Sequence, residues 1–353
     1  MNESISLGLP DWIAFGIYFF SLSVIGYFAA RKVKGAAEKD SADYFLAGRS
    51  LPWYVVGSSY IAANISTEHF IGLIGAAFIY GIAVATGEWS TVIAFAFMIW
   101  LFIPFLLTAG VFTAPEFLER RFNPQMRFSF AFVTVLANVF AFLAPVIYGG
   151  GLALEALVDF NGLFGKPEGS PFGLWFSIAL IGLVAGVWAV WGGLKSVAWM
   201  DVLTIAVMVV GGLTVTVLGL KALGNGGGIF EGFSLMLERN AANSGQWADA
   251  VSKLAPEIVK QENYDRLSVI QPLTHQTNPW THWVFSFFYI GLWYTVINQF
   301  LIQRVFAAKN IYHARMGMTF ASYLKLLLPF IVVVPGLIYF AMYPEIVLQY
   351  ESV

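Results

Sequence analysis

The sequence contains no cysteine, which excludes disulfides and thiolate metal sites. Charge is also scarce: 11% of residues are Asp, Glu, Lys or Arg, against about 25% in soluble domains. The formal net charge of −2 leaves no basic excess, so no nucleic acid partner is expected. Four histidines are scattered without metal-ligand spacing. No glycine-rich phosphate loop precedes a basic residue, so zinc chemistry, ATP hydrolysis and an organic cofactor have no support. The start, Met1-Asn2-Glu3-Ser4, lacks a basic stretch and no cleavage site follows; the first apolar run is expected to be a retained helix, not a signal peptide.

What fills the chain instead is apolar surface. Of 353 residues 58% are hydrophobic and the mean hydropathy is +0.72, values that predict an all-α protein integral to a lipid bilayer. A spanning helix needs about 20 mainly apolar residues. Eight stretches reach that length, near 9–31, 51–79, 84–108, 126–157, 172–193, 197–222, 283–305 and 313–342. The alternating polarity of a membrane β-barrel is absent. One polar segment, roughly 224–280, opens on Gly224-Asn225-Gly226-Gly227-Gly228 and then holds two charged, helix-like stretches; it reads as an extramembrane excursion within a single transporter domain.

Basic residues predict orientation, because cytoplasmic loops collect Lys and Arg. With the N-terminus outside, the inner loops carry Arg31, Lys32, Lys34, Lys39, Arg49, Arg120, Arg121, Arg127, Lys195, Arg304, Lys309 and Arg315, twelve of the nineteen basic residues. The long 224–280 segment and Lys221 then fall outside. The expectation is a multi-pass protein of the cell (inner) membrane with its N-terminus outside.

Inside the second span, Ala63-Asn64-Ile65-Ser66-Thr67-Glu68-His69 puts an amide, two hydroxyls, a carboxyl and an imidazole at membrane depth. Translocon scales put one charged residue at a helix centre at about 2.5–3.5 kcal/mol, so such groups face a cavity, an ion path or a partner. Glycines at 57, 72 and 75 weaken the helix around them. A break there would free backbone carbonyls near Ala62 and Ile65 for a cation; alternatively Asn64, Ser66 and Thr67 only bond neighbouring helices. Glu88 and Thr91 share one helical face and could offer an acceptor and a donor to a hydroxylated ligand, though a Glu in a first turn also suits the helix dipole. Lys325 sits mid-span between leucines, for a ligand, an ion pair or a snorkelling exit. Gly291, Tyr294, Thr295 and Asn298 recur at i, i+3, i+4 and i+7, one polar stripe of an α-helix. Asp201 follows Trp191-Gly192-Gly193-Leu194-Lys195 near an inner end, to attract an exiting cation or to pair with Lys195. Thr113-Ala114-Pro115-Glu116 has the spacing of a capping box before a short amphipathic helix.

These residues fall in strings that resemble the solute:sodium symporter family, sodium/glucose cotransporter branch. The strings are Asp43-Tyr44-Phe45-Leu46-Ala47-Gly48-Arg49, Ala62-Ala63-Asn64-Ile65-Ser66, Gly87-Glu88-Trp89, Thr113 to Phe122, and Gln303-Arg304-Val305-Phe306-Ala307-Ala308-Lys309. They run in family order from about 40 to 335. The resemblance implies a LeuT-like fold of two inverted five-helix repeats after one extra helix. Here 9–31 would be the extra helix, 51–222 the first repeat and 283–342 the first two helices of the second. The chain would thus be C-terminally truncated, with the hydroxyl half of the Na⁺ site beyond Val353.

The resemblance further implies Na⁺-coupled symport of a hexose by alternating access, with no enzyme activity. An inositol-like polyol, another small solute or a transporter-like sensor domain are the alternatives. Sugar contacts would fall on Asn64, His69, Glu88, Thr91 and Lys325, with Tyr294 as an inner-gate ring. Na⁺ would lie on the carbonyls of Ala62 and Ile65, with Asp201 on its exit path. His69 stands at a family position held by glutamine or histidine. Gly291 stands where the family has an asparagine, Thr295 where it has a tryptophan, and Gly87 where it has a tyrosine. Alanine at Glu88 or Lys325 is expected to abolish sugar binding with little effect on folding.

Overall fold

The computed structural model describes residues 7–31, 44–167, 169–242, 265–275, 277–344 and 346. Asp43 of the first string, Lys32, Lys34, Lys39, Lys253 and Lys260, and the second charged stretch of the 224–280 segment lie outside them. The described residues are helical, with two isolated β-bridges, Leu51 with Ala308 and Gln271 with Pro279.

In chain order the α-helices are α1 (Leu9–Ala30), α2 (Trp53–Asn64), α3 (Ile74–Tyr80), α4 (Thr86–Phe97), α5 (Ile103–Thr108), α6 (Ala114–Arg121), α7 (Pro124–Leu136), α8 (Ala144–Val158), the single turn α9 (Phe160–Leu163), α10 (Pro171–Leu223), α11 (Gly228–Ala242), α12 (Thr281–Ser286), α13 (Gln299–Phe306), α14 (Ile311–Val332) and α15 (Val334–Met342). Four π-helical runs interrupt this order: Glu68–Leu73 leads into α3, Met98–Phe102 joins α4 to α5, Ala137–Leu143 joins α7 to α8, and Phe287–Ile297 follows α12. Such wide turns concentrate at functional sites, and two of them hold predicted site residues.

Among the described residues five helices are long and apolar enough to cross a membrane, or six if Thr281–Ile297 and Gln299–Phe306 form one span. The count falls below eight for two reasons. Two expected spans, 172–193 and 197–222, belong to the single run α10, kinked where Gly193 takes φ +61°. The second span is interrupted, leaving α2 only 12 residues long.

The chain divides into two compact units. The first holds Met1–Glu68, Leu101–Ile205 and Asn298–Met318. Its centre is α2, on which Val55, Val56, Gly57, Ser58, Ser59, Tyr60 and Ile61 are all buried; a helix apolar on every side must be enclosed by others. Gly26 of α1 lets that helix close on α10, where a Cβ would stand 2.9 Å from both Met200 Sδ and Ser196 Oγ. Ser196 donates to the Gly26 carbonyl at 3.0 Å. The Thr113 cap forms, with Oγ1 accepting from Glu116 N at 3.2 Å. The return bond goes one residue further back than in a capping box, from Phe112 N to Glu116 Oε2 at 2.7 Å.

The second unit holds His69–Trp100, Ala206–Ile297 and Thr319–Val353. In it α15 packs on α3 so closely that a Cβ on Gly336 would lie 2.4 Å from the Ile74 carbonyl oxygen. Leu220, Leu223 and Met236 bury against Leu337, Ile338 and Ala341, joining α10 and α11 to α15.

Candidate functional site

In the second unit three elements bring three ionisable side chains together. Glu88, in the first turn of α4, places Oε2 2.7 Å from Lys325 Nζ of α14. Its Oε1 lies 3.5 Å from Nε2 of His69, in the π-helical run before α3. Glu88 and Lys325 are 7% and 3% exposed, so the lysine does not snorkel. Buried ions persist when their charges offset each other; at 2.7 Å the contact is a close ion pair, while Oε2 makes no hydrogen bond of good geometry among the described residues. The contact to His69 is longer than a good hydrogen bond, so that carboxylate oxygen retains accepting capacity.

Local sequence accounts for these positions. Pro329 lies inside α14, four residues after Lys325, and supplies no N–H to the Lys325 carbonyl. The ladder is loosened at this turn, and Trp89 Nε1 donates at 3.4 Å to the next carbonyl, Leu326. Thr91 is 2% exposed and donates its hydroxyl to the Glu88 carbonyl at 2.6 Å. Its proton is thereby committed to the main chain and its oxygen lone pairs remain for a donor.

Tyr294 lies in Phe287–Ile297, alongside α4: Gly291 fits only because it lacks a Cβ, which would stand 2.9 Å from Ala94 Cβ, and the Phe287 and Phe97 rings are 5.5 Å apart. This run is π-helical, so the α-helical spacing read for Gly291, Tyr294, Thr295 and Asn298 does not describe it. Gly291, Thr295 and Asn298 are buried, whereas Tyr294 is half-buried. Asn298 has φ −62° and ψ 119° beyond the end of the run. Both its amide atoms are buried without a hydrogen bond among the described residues.

In the first unit, α2 stops because Ile65 is extended, with φ −91° and ψ 133°. Its N–H still bonds Ile61 O at 2.9 Å; beyond it the ladder ends, and the last-turn carbonyls, Ala62 among them, leave it. Asn64 sits in this last turn, half-buried. Thr67 donates to Val146 O at 3.2 Å, a helix-to-helix tie, and Glu68 is exposed.

Three residues before Ala62, or about 4.5 Å along the axis, Ser59 donates to Asp201 Oδ2 at 2.6 Å. The same hydroxyl accepts from Arg304 Nε at 2.8 Å. Arg304 Nη2 is 3.9 Å from Asp201 Oδ2, and Nη1 donates to Phe300 O. Asp201 is thus matched to Arg304 and not to Lys195. Ser59 and Arg304 escape a reading of the sequence: a serine in an apolar run reads as helix glue, and Arg304 as one more inner-loop charge. Among the described residues no group of three or more His, Asp or Glu side chains could hold a metal ion.

Residues 44–351 match the sequence profile of the sodium:solute symporter family. Over 336 residues the chain is 36% identical to a sodium/glucose cotransporter of Vibrio parahaemolyticus, covering 95% of this chain and 56% of that protein. It is 31% identical to a sodium/myo-inositol cotransporter of Mus musculus, covering 94% of this chain and 44% of that protein. The chain therefore spans about half the length of these relatives. Among solved structures, a Na⁺-coupled sialic acid symporter in a substrate-bound outward-open state matches with TM-score 0.67 at 19% identity, covering 96% of this chain and 62% of that one. At that identity the likeness concerns the fold, which is LeuT-like and all-helical.

Proposed function

This chain belongs to the sodium:solute symporter family, and from that premise we propose that the whole protein couples Na⁺ entry to uptake of a neutral hydroxylated solute, a hexose first. The observation that carries this reading is the buried Glu88 carboxylate held between Lys325 and His69. A sugar hydroxyl is both donor and acceptor. It donates to Glu88 Oε1, which has acceptor capacity beyond its 3.5 Å contact with His69, while a second hydroxyl accepts from the Lys325 ammonium. The Glu88 and Lys325 charges cancel, so a neutral solute leaves no uncompensated charge in the site. An analogue without these hydroxyls leaves buried polar groups unpaired and is rejected. Thr91 and Tyr294, in the same unit as Glu88 and Lys325, complete the sugar contacts.

Na⁺ is the second substrate. The carbonyls of Ala62 and Ile65 supply part of its shell, and His69 follows Ile65 by four residues. Ordering the break around Na⁺ fixes where the His69 run begins, so Na⁺ raises sugar affinity and sugar raises Na⁺ affinity by the same factor. Asp201 then receives the departing ion in exchange for Arg304. The reading needs no organic cofactor and no nucleic acid. It places the protein in the cell membrane with its N-terminus outside, supported by the twelve basic residues grouped on one set of loops. An inositol is the second solute reading, favoured by the inositol cotransporter relative.

The test is uptake of radiolabelled hexose by proteoliposomes of the full-length protein. Accumulation under an inward Na⁺ gradient, abolished by a Na⁺ ionophore, is expected; uptake indifferent to Na⁺ refutes the reading.

A further inference from the structure

The mechanism above does not use Arg266, which reads in the sequence as one charge of a polar loop. It is 0% exposed, the largest wholly buried side chain among the described residues. Nη1 donates to the Ile79 carbonyl at 2.7 Å, and Nη2 to those of Phe78 at 2.9 Å and Ala77 at 3.4 Å. All three lie in the last turn of α3, at the end where the helix dipole favours a cation; the Ala77 carbonyl also accepts from Gly81 N, and those of Phe78 and Ile79 belong to the groups an α-helix end leaves without helical partners. The guanidinium carbon also stands 3.5 Å from the centre of the Phe340 ring in α15.

The main chain of Arg266 holds the same end of α3. Ile82 N donates to Arg266 O at 2.9 Å. Gly81 turns the chain with φ +75°, and a Cβ there would meet Arg266 O at 2.3 Å, so only glycine fits. A network spreads the hold further. Arg266 Nε donates to Asn240 Oδ1 at 3.2 Å, and Asn240 Nδ2 donates to Leu337 O at 3.0 Å.

The Gly81 turn is the joint between the helix that follows His69 and the helix that begins just before Glu88. Any rotation of α3 against α4 changes the spacing of those two side chains. Lysine cannot replace the clamp, because a single ammonium lacks the planar fork that reaches three carbonyls. We propose that Arg266 is a positioning residue for the solute site: it locks the joint between α3 and α4 and thereby sets the His69 to Glu88 distance on which sugar affinity depends. This inference rests on the sugar-symport reading of that site.

The test compares wild-type, Arg266→Lys and the milder Asn240→Ala in full-length protein reconstituted in liposomes. Thermal melting selects variants that fold. Sugar KM is taken from Na⁺-driven uptake, and Na⁺ affinity from intrinsic tryptophan fluorescence without sugar. Sugar KM should rise roughly tenfold in Arg266→Lys, the effect of about 1.4 kcal/mol, and by a smaller factor in Asn240→Ala. Na⁺ affinity in the absence of sugar should change far less, because the carbonyls that Arg266 holds lie at the opposite end of α3 from the break at Ile65. Unchanged sugar KM in folded variants overturns the inference, as does a parallel loss of sugar and Na⁺ affinity. A wild-type protein without Na⁺-dependent uptake overturns the transport reading, and this inference with it.

Discussion

Lys325 Nζ and Glu88 Oε2 lie 2.7 Å apart with both side chains almost wholly removed from solvent. The pair is a fold element and, in the proposed function, part of the solute site, so its mutants must be read with both roles in mind. Removing one member of a buried pair strands the other charge, at a cost of about 3–5 kcal/mol. Alanine at Glu88 or Lys325 should therefore lower the melting temperature as well as remove the proposed sugar contact, whereas the sequence alone predicts little effect on folding. The double variant Glu88→Gln with Lys325→Met removes both charges. It should melt close to wild-type while binding no sugar, measured by thermal unfolding with and without hexose.

Gly291 predicts a steric test. Gly291→Ala puts its methyl 2.9 Å from Ala94 Cβ, and such overpacking costs about 1–3 kcal/mol. Melting temperature should fall in the single variant and recover when Ala94→Gly is added. Recovery is specific to this contact, because glycine at position 94 alone weakens α4.

Ser59 predicts a separable effect on the ion. Ser59→Ala removes the hydroxyl that joins Asp201 to Arg304, leaving buried polar groups short of a partner at about 1–3 kcal/mol. Na⁺ half-saturation of uptake should shift several-fold, with sugar KM at saturating Na⁺ held near wild-type. A shift in sugar KM alone would detach this cluster from the Na⁺ path.

His275 predicts a pH dependence in the polar segment. Burial pushes its imidazole down from the usual 6.5 to about 4. Nδ1 accepts from the main-chain N–H of Thr277 at 3.2 Å and of Asn278 at 3.0 Å, bonds that a protonated nitrogen cannot accept. Between those two values the unfolded segment binds more protons than the folded one, so folded stability rises with pH across this window and is lost as pH falls. Protection of the Thr277 and Asn278 amides, taken relative to the intrinsic exchange rate at each pH, should fall on going from about pH 7 to about pH 5, and His275→Gln should flatten that dependence.

Much of the candidate site was legible because membrane burial makes polar residues conspicuous. Asn64, His69, Glu88 and Lys325 stood out against leucine and isoleucine, and the weak helix around Asn64 foretold the break at Ile65. The pairing of Glu88 with Lys325 was not legible, since 237 residues separate positions 88 and 325 in sequence and periodicity carries no long-range contact. The π-helical turns were missed for a related reason: Phe287–Ile297 is apolar nearly throughout, so its pattern does not distinguish 3.6 residues per turn from a wider helix. Arg266 was missed because a lone arginine in a polar stretch looks solvated, and only the three carbonyls around it reveal otherwise.

The most direct test is equilibrium binding of radiolabelled hexose to purified full-length protein in NaCl and in choline chloride, for wild-type and for Glu88→Gln/Lys325→Met. The account predicts that NaCl tightens wild-type binding by roughly tenfold, within the usual range of coupling between two sites, and that the folded double variant binds no hexose in either salt. Equal wild-type affinity in both salts, or retained binding by the double variant, would contradict it.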